Sequence, residues 1–403
     1  MNTKIINENI KDAAAVIRGG GLVAVPTETV YGLAGNGLDE GAVQEIYNVK
    51  GRPEVKPLSL MVPGVEALDA YGVDVPAAAY ALAERFWPGP LTIIVKAKAE
   101  IPSIVLAGGD TVGLRCPDHK LTLALLKEAQ LPLAAPSANP SGAPSPKTAQ
   151  QVAEYFQGKI AAIIDGGECG IGKESTIIDM SAAPYRILRQ GALAQEEIMA
   201  ALEDSLTLVG ITGGTGCGKT TALNVLRDMG ALIIDCDALY HELTVSSEPM
   251  RREICARFGE VYDGAVLNRK KLGSIVFSDP QALKDLNAIT HKFVDMGIHE
   301  RLRQHALNGG RLAAIDAIAL LENQFAQRSL FNVAVTAPVE ERVKRLIARE
   351  GISEDYARAR IAAQKSNEYF AEHCDHVLCN DSDLESFQNT CETFFKEELK
   401  NVR

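Results

Sequence analysis

The sequence predicts an α/β protein of two domains. Residues 213–220, midway along a 403-residue chain, carry the phosphate-loop pattern G-x-x-x-x-G-K-[ST]. A loop of that kind follows the first strand of its own domain, so the residues upstream need a domain of their own. Short apolar runs alternate with helical patterns on both sides of the loop. A hydrophobic content of 46% with 23% charged residues is that of a globular chain.

Several classes are excluded at once. No apolar stretch approaches the about 18 residues needed to cross a bilayer, and Met1-Asn2-Thr3-Lys4 is too polar to open a signal peptide. The expectation is a cytoplasmic chain with no membrane partner. The net charge of −11, with neither half basic, argues against direct nucleic-acid binding. Eight cysteines without a C-x-x-C pair suit a reducing compartment. His373, Cys374, His376 and Cys379 are poorly spaced for zinc, because a strand through Val377 and Leu378 sends alternate side chains to opposite faces.

In the first half, residues 13–19 read as a helix and 22–25 as a strand running into Pro26-Thr27-Glu28-Thr29-Val30-Tyr31-Gly32. A strand ending in hydroxyls and glycine presents donors to a small polar ligand. Helix 40–49 then ends at Lys50-Gly51-Arg52-Pro53-Glu54-Val55-Lys56-Pro57. Three cations stiffened by two prolines suit a polyanion such as a triphosphate, while Lys50 and Arg52 serve equally well as a helix C-cap. Residues 111–117 read as a strand carrying a lone Arg115. Residues 136–146 form a rigid hydroxyl-rich loop with Ser137, Asn139 and Ser145. Glu174-Ser175-Thr176 opens a further strand, and Arg189 lies near the end of the domain. Helix 193–204 runs straight into the next strand with no flexible linker, which sets the domains at 1–204 and 205–403.

In the second half, the apolar run 206–211 reads as a buried strand and 220–229 as a helix, with Gly213, Gly214, Thr215, Gly216, Cys217 and Gly218 turning between them. Backbone N–H groups at such a helix start meet phosphate charge, Lys219 reaches the outer phosphates, and the Thr220 hydroxyl can ligate Mg2+. The run 231–237 reads as a second strand with Asp235 and Asp237 at its end, one suited to capping the next helix and one to taking a proton from a hydroxyl acceptor. Arg345 and Arg349, followed by Arg358, Arg360 and Gln364 on a further helix, suit a cationic lid closing on ATP, or a solvated salt-bridged helix. Cys217, inside the loop, suggests an oxidant-sensitive site.

Two resemblances follow. The segments 26–33 and 50–59, with Arg115, 136–146, Ser175-Thr176 and Arg189, resemble the Sua5/YrdC family, the threonylcarbamoyl-AMP synthases. That implies a twisted α/β domain with a large concave cavity. It would join L-threonine, bicarbonate and ATP into threonylcarbamoyl-adenylate for tRNA t6A modification, with tRNA-modification enzymes acting downstream. By the same resemblance Thr27, Ser59, Arg115 and Ser175 surround threonine and bicarbonate, and Lys50, Arg52, Ser137, Asn139, Ser145 and Arg189 surround ATP.

Residues 206–390 resemble dephospho-coenzyme A kinase, on the phosphate loop, Ile234-Asp235-Cys236-Asp237, Leu320-Leu321-Glu322, the arginine set and Cys374-Asp375-His376-Val377-Leu378-Cys379-Asn380. This implies a parallel sheet flanked by helices, with a helical lid. Asp237 would be the base for the ribose 3′-hydroxyl, and Arg345 and Arg349 lid residues. Lys292 and Ile318 stand where that family usually has proline, both in the acceptor-binding half rather than in the phosphate machinery. The competing expectation is an RNA-binding first half beside a kinase of different or lost acceptor specificity.

Overall fold

The computed structural model describes residues 2–7, 9–322 and 324–400. The chain divides into two compact units, Met1–Ser205 with Leu307–Gly309, and Leu206–Ala306 with Gly310–Arg403.

The first unit is built on strands β1 (Lys4–Ile6), β2 (Val23–Val25), β3 (Gly32–Asn36), β4 (Ser59–Met61), β5 (Gly72–Val73), β6 (Leu91–Ala97), β7 (Thr111–Arg115), β8 (Leu133–Ala134), β9 (Ala162–Ile164), β10 (Thr176–Asp179) and β11 (Arg186–Arg189). They form one eleven-stranded mixed sheet in the order β1-β9-β2-β3-β8-β4-β7-β6-β10-β11, with β5 paired to β6. Helices α1 (Ile10–Arg18), α2 (Glu40–Lys50), α3 (Ala67–Tyr71), α4 (Ala77–Phe86), α5 (Lys120–Ala129), α6 (Ala149–Phe156) and α7 (Gln195–Asp204) complete it. Helix α1 buries Ala13, Ala14 and Ile17, which join a core with Val23, Val25, Leu125 and Ile164. At the start of α2 the Asp39 carboxylate accepts from the N–H groups of Gly41 and Ala42, and at its end Gly51 turns left-handed at φ 59°. That cap leaves Lys50 on the last helical turn and sends Arg52 out into the following loop.

The second unit carries β12 (Thr207–Thr212), β13 (Leu232–Asp235), a small hairpin of β14 (Tyr262–Asp263) and β15 (Val266–Leu267), β16 (Leu312–Asp316), β17 (Phe331–Thr336) and β18 (His376–Cys379). Its main sheet runs β13-β16-β12-β17-β18, and every pairing in it is parallel. Its helices are α8 (Lys219–Asp228), α9 (Cys236–Ser246), α10 (Glu248–Phe258), α11 (Arg269–Val276), α12 (Pro280–Leu307), α13 (Gln324–Arg328), α14 (Val339–Glu350), α15 (Glu354–Ala362), α16 (Asn367–His373) and α17 (Leu384–Glu398). Val209, Ile211, Leu226, Val333, Val335, Phe387 and Phe395 share its core. A second cluster, including Met250, Ile254, Leu272 and Phe293, holds α10, α11 and α12 together.

Strand β12 lies at the centre of the sheet, between β16 and β17, and the phosphate loop leaves its C-terminal end. Ligands of open parallel sheets sit at that end. The register pairs Ile211 with Asp316 and Asp235 with Asp316, so both carboxylates reach the edge where the loop begins. No described helix is long and apolar enough to cross a membrane.

Candidate active sites

In the first unit a cavity of about 200 Å3 is lined by Arg52, Ser59, Arg115, Ser137, Ser175 and Arg189, together with Thr92, Glu174 and apolar side chains such as Val30 and Ile177. These residues come from the loop after α2, the start of β4, the end of β7, the loop after β8, the start of β10 and the end of β11. The parallel pairing of β10 with β6 sets Ile177 beside Thr92, and the Ser175 and Thr92 hydroxyls meet at 2.9 Å.

Two ion pairs organise the charge. Arg115 meets Glu28 at 2.8 Å, with about a tenth of each side chain exposed. The same guanidinium donates to Thr29 Oγ1 at 2.8 Å, while its Nε is buried without an acceptor. A buried cation with one open donor is suited to a carboxylate ligand. Arg189 meets Glu174 at 2.7 Å and donates to Ser175 through its carbonyl at 3.0 Å and its hydroxyl at 3.1 Å. Arg52 donates to the Pro57 carbonyl at 3.0 Å, which holds the proline-stiffened loop in shape. Burial pulls both Arg52 and Arg189 below the usual guanidinium range.

Four of the expected contacts lie outside the cavity lining. Lys50 is buried, and its ammonium donates to the carbonyls of Ser137 and Asn139 and to Asn139 Oδ1 at 3.4 Å. It therefore anchors the 136–146 loop from beneath instead of capping its own helix. Burial first, and then the neighbouring Arg52 charge, bring its pKa down to about 8. Thr27 spends its hydroxyl inside its own turn, donating to the Val30 carbonyl at 2.7 Å and accepting from the N–H groups of Thr29 and Val30. Asn139 accepts from Ser137 Oγ at 2.6 Å and donates to the Ala143 carbonyl. Ser145 donates to Glu174 at 3.3 Å. These four side chains shape the loops whose neighbours face the cavity. Lys173 is exposed and lies outside the lining.

The second unit has two adjoining cavities. One, of about 450 Å3, is lined by Gly214, Thr215, Gly216, Gly218, Lys219, Thr220, Asp235, Asp237, Asp316, Ile318, Arg345, Arg349 and Arg360. The glycines are conformational necessities: Gly213 and Gly218 sit at φ +136° and +97°, and a Cβ on them would lie 2.2 Å from the Val335 carbonyl oxygen and 2.1 Å from Asn380 Nδ2. Lys219 Nζ lies 2.9 Å from Asp316 Oδ1. Burial raises the Asp316 pKa while the Lys219 charge lowers it. Asp235 caps α9 by accepting from the Ala238 N–H at 2.9 Å, while Asp237, two residues on and already in the helix, lines the cavity. Asp235 thus takes the expected capping role.

The arginines expected to form a lid also divide. Arg345 reaches the loop carbonyls of Gly216 at 3.4 Å and Cys217 at 3.3 Å. Arg349 and Arg360 both pair with Glu350 at the cavity's edge. Arg358 instead bridges Glu340 and Glu354 in solvent and takes no part. Gln364 lies beyond the end of α15 rather than on it, and from there accepts from the Thr215 N–H at 2.8 Å and donates to Thr215 Oγ1 at 2.7 Å. Buried Arg342 donates to the Thr215 carbonyl at 2.9 Å, and Asn380 links the Cys217 carbonyl at 2.9 Å to Arg345 at 3.1 Å. Cys217 is fully buried and its thiol is pushed up by burial, so the expected oxidant sensitivity does not fit the site.

The other cavity, of about 580 Å3, is lined by Asp237, Tyr240, Asn287, His291, Ile318 and Glu322 among others. Ile318 and Ala319 line it, whereas Lys292 is turned to an ion pair with Glu253. Sequence reasoning left Asp316, Asn380, Arg342, Glu28 and Glu174 without roles. Only Asp316 advertises itself, as a carboxylate closing the apolar run Leu312-Ala313-Ala314-Ile315.

Fold and site together define a two-domain α/β protein: a mixed-sheet domain with a cationic, hydroxyl-lined cavity, and a parallel-sheet domain with a phosphate loop. Residues 15–191 match the Sua5, YciO and YrdC family model, described as telomere recombination, and residues 207–386 match the dephospho-CoA kinase model. The chain belongs to both families, one in each half. The threonylcarbamoyl-AMP synthase of Pyrococcus abyssi is 50% identical over 189 residues, which are 47% of this chain and 56% of that protein. A Mycobacterium tuberculosis relative is 34% identical over 51% of this chain and 94% of its own length. The dephospho-CoA kinase of Dehalococcoides mccartyi is 34% identical over 48% of this chain and 99% of its own length. The chain thus spans little more than half of the Pyrococcus synthase it matches.

Proposed function

We propose that this is a bifunctional enzyme with independent active sites. The first unit makes L-threonylcarbamoyladenylate from L-threonine, bicarbonate and ATP, for tRNA t6A modification by enzymes acting downstream. The second phosphorylates the ribose 3′-hydroxyl of dephospho-CoA with ATP. The observation that carries this is the pair of separate cation-lined cavities, one in each unit, only the second of which has a phosphate loop. Both sets of substrates fit a cytoplasmic enzyme.

In the first unit the threonine amine attacks bicarbonate carbon, water leaves, and the resulting carbamate oxygen attacks the α-phosphorus of ATP. The bond from that phosphorus to the bridging oxygen breaks, and pyrophosphate departs with the electron pair. Arg115, with its open Nε, takes the threonine carboxylate, and Ser59 and Ser175 orient the carbamate. Arg52 and Arg189 stabilise the pyrophosphate charge, with Glu174 exchanging its hold on Arg189 for that ligand. Lys50, Thr27, Asn139 and Ser145 act by holding the loops. No covalent nucleophile is required.

In the second unit the acceptor hydroxyl attacks the γ-phosphorus, Asp237 takes its proton, and ADP leaves. Lys219 and Arg345 stabilise charge on the transferring group, and Arg349 and Arg360 close over it. Among the described residues no three His, Cys, Asp or Glu side chains form a ready ion cage. Thr220, Asp235, Asp237 and Asp316 nonetheless supply an oxygen-only wall, which suits Mg2+ held through substrate phosphates and water. Thr220 and Asp316 would hold it, and when bound it neutralises the β- and γ-phosphate charge.

The test is two assays on the full chain: ADP release with ATP and dephospho-CoA, and pyrophosphate release with ATP, threonine and bicarbonate. Lys219→Ala is expected to remove only the first and Arg52→Ala only the second. Loss of both activities from either change, in folded protein, would sink the independence. The acidic chain supports a reading without direct RNA contact; tight duplex-RNA binding with a steep salt dependence would count against it.

A further inference from the structure

Two residues line both cavities of the second unit, Asp237 and Ile318. A phosphoryl group passing from the phosphate-loop side to the acceptor side therefore crosses a boundary that a carboxylate residue and a branched apolar residue both line. We propose that Ile318 is the partition that keeps water away from the reacting γ-phosphorus, and so sets the split between transfer and hydrolysis. The inference rests on the kinase reading above.

Ile318 stands in the short turn between β16, which ends at Asp316, and the 3-10 turn Leu320–Glu322. That turn is pinned along its length. The Ala317 N–H donates to the Ile211 carbonyl at 3.3 Å, Thr212 Oγ1 donates to the Ile318 carbonyl at 3.3 Å, and the Leu320 N–H donates to the Ala317 carbonyl at 3.3 Å. Leu320 fills the core beneath, fully buried. With the backbone tied on both sides and the core already occupied, the Ile318 side chain has no interior site to retreat to. It stays 37% exposed, at the junction of the two cavities.

On the phosphate-loop side its neighbours are polar: Lys219, Thr220, Asp235 and Asp316. On the acceptor side Asn287 and Glu322 stand among apolar groups such as Leu286 and Val294. A polar wall retains water unless something apolar displaces it. Water and the acceptor hydroxyl compete for one reaction: either oxygen attacks the γ-phosphorus, the bond to the ADP oxygen breaks, and the proton goes to Asp237. Water yields inorganic phosphate, and the acceptor yields its phosphate ester. Asp237 serves both equally, so discrimination falls to whatever excludes water from its side, and excluding it also strengthens the charge interactions of transfer. Ile318 is the apolar group that both cavities share.

The experiment uses the full chain with Mg-ATP and saturating dephospho-CoA, counting ADP and phosphorylated acceptor separately; Lys219→Ala supplies the blank. Ile318→Ala is expected to raise the ratio of hydrolysis to transfer by about tenfold, and Ile318→Val, which keeps a branched apolar side chain, to stay near the unmodified ratio. Ile318→Thr, with nearly the shape of valine and a hydroxyl, should leak like alanine. An unchanged ratio in Ile318→Ala and Ile318→Thr, or loss of transfer in both with no gain in hydrolysis, overturns the partition. Absence of transfer in the unmodified chain is seen before any variant is compared, and overturns the kinase reading itself.

Discussion

Lys219 Nζ and Asp316 Oδ1 lie 2.9 Å apart, joining the first residue of the helix after the phosphate loop to the last residue of a neighbouring parallel strand. The contact ties the loop's cation to the acidic edge of the sheet, where Asp235 stands in register with Asp316. An ammonium held there is ready to swing to a phosphate when a nucleotide brings its own charge. Asp316→Asn keeps the shape and removes the countercharge. Its ADP release with dephospho-CoA is expected to fall about 100-fold, and that of Lys219→Ala about 1,000-fold. Neither change should alter threonine-dependent pyrophosphate release. Asp316→Asn turnover within twofold or so of the unmodified chain would remove the aspartate from the machinery.

Lys50 gives the first unit a pH dependence of its own. Its pKa of about 8, set by burial and by Arg52, means that its ammonium loses a proton as pH rises through that value. One N–H donor to the carbonyls of the 136–146 loop goes with it. Threonine-dependent pyrophosphate release should then decline with a midpoint near pH 8, while ADP release by the kinase half does not share that midpoint. Stability moves the other way. The folded pKa lies below the ordinary 10.5, so between about 8 and 10.5 the unfolded chain holds the extra proton, and the Lys50 contribution to folding improves as pH rises. The melting temperature of the unmodified chain should therefore gain on that of Lys50→Met across this window. A constant difference would mean that Lys50 titrates normally.

Glu28 is expected to matter through Arg115. Both side chains are nearly buried, and Glu28 also accepts from the Asp118 N–H at 3.1 Å. Glu28→Ala strands a buried guanidinium, which should cost about 3 kcal/mol of stability. Glu28→Gln retains the acceptor and should lose much less. In the alanine variant the KM for threonine should rise while that for dephospho-CoA stays put. Equal stability of the two variants would show that Arg115 finds another partner.

Much of this was legible in the chain because it is local. The phosphate loop, the capping Asp235 and the strand before Lys219 announce themselves over a few neighbouring residues, and the fold placed them as read. The cationic loop after α2 was legible only in part: Arg52 faces the cavity, but whether Lys50 points outward or inward depends on the carbonyls of residues 137 and 139, about ninety positions away. The same holds for Glu28 with Arg115 and for Asp316 with Lys219, pairings fixed by strand order. Arg345 and Arg358 look alike on a helix pattern. Only the position of the loop carbonyls and of Glu340 separates an arginine that lines the cavity from a solvated salt bridge.

Cys217 tests how far burial overrides motif. Its place in the phosphate loop suggests a thiol exposed to oxidants, but reactivity needs thiolate and access. The side chain is fully buried, Sγ sits against the Gly214 carbonyl, and burial outweighs the nearby Arg342 and Lys219 charges to raise its pKa. Mild peroxide should therefore leave kinase turnover within about twofold. Cys379, the exposed cysteine, should be modified first by mass spectrometry. Cys217→Ser keeps a small donor facing the same carbonyl and should retain activity, so that peroxide affects it no differently from the unmodified chain. Rapid inactivation of the unmodified chain, with the serine variant protected, would mean that the loop opens far enough in solution to expose Cys217. The cover that Arg342 and Gln364 place over Thr215 would then be a fluctuating one.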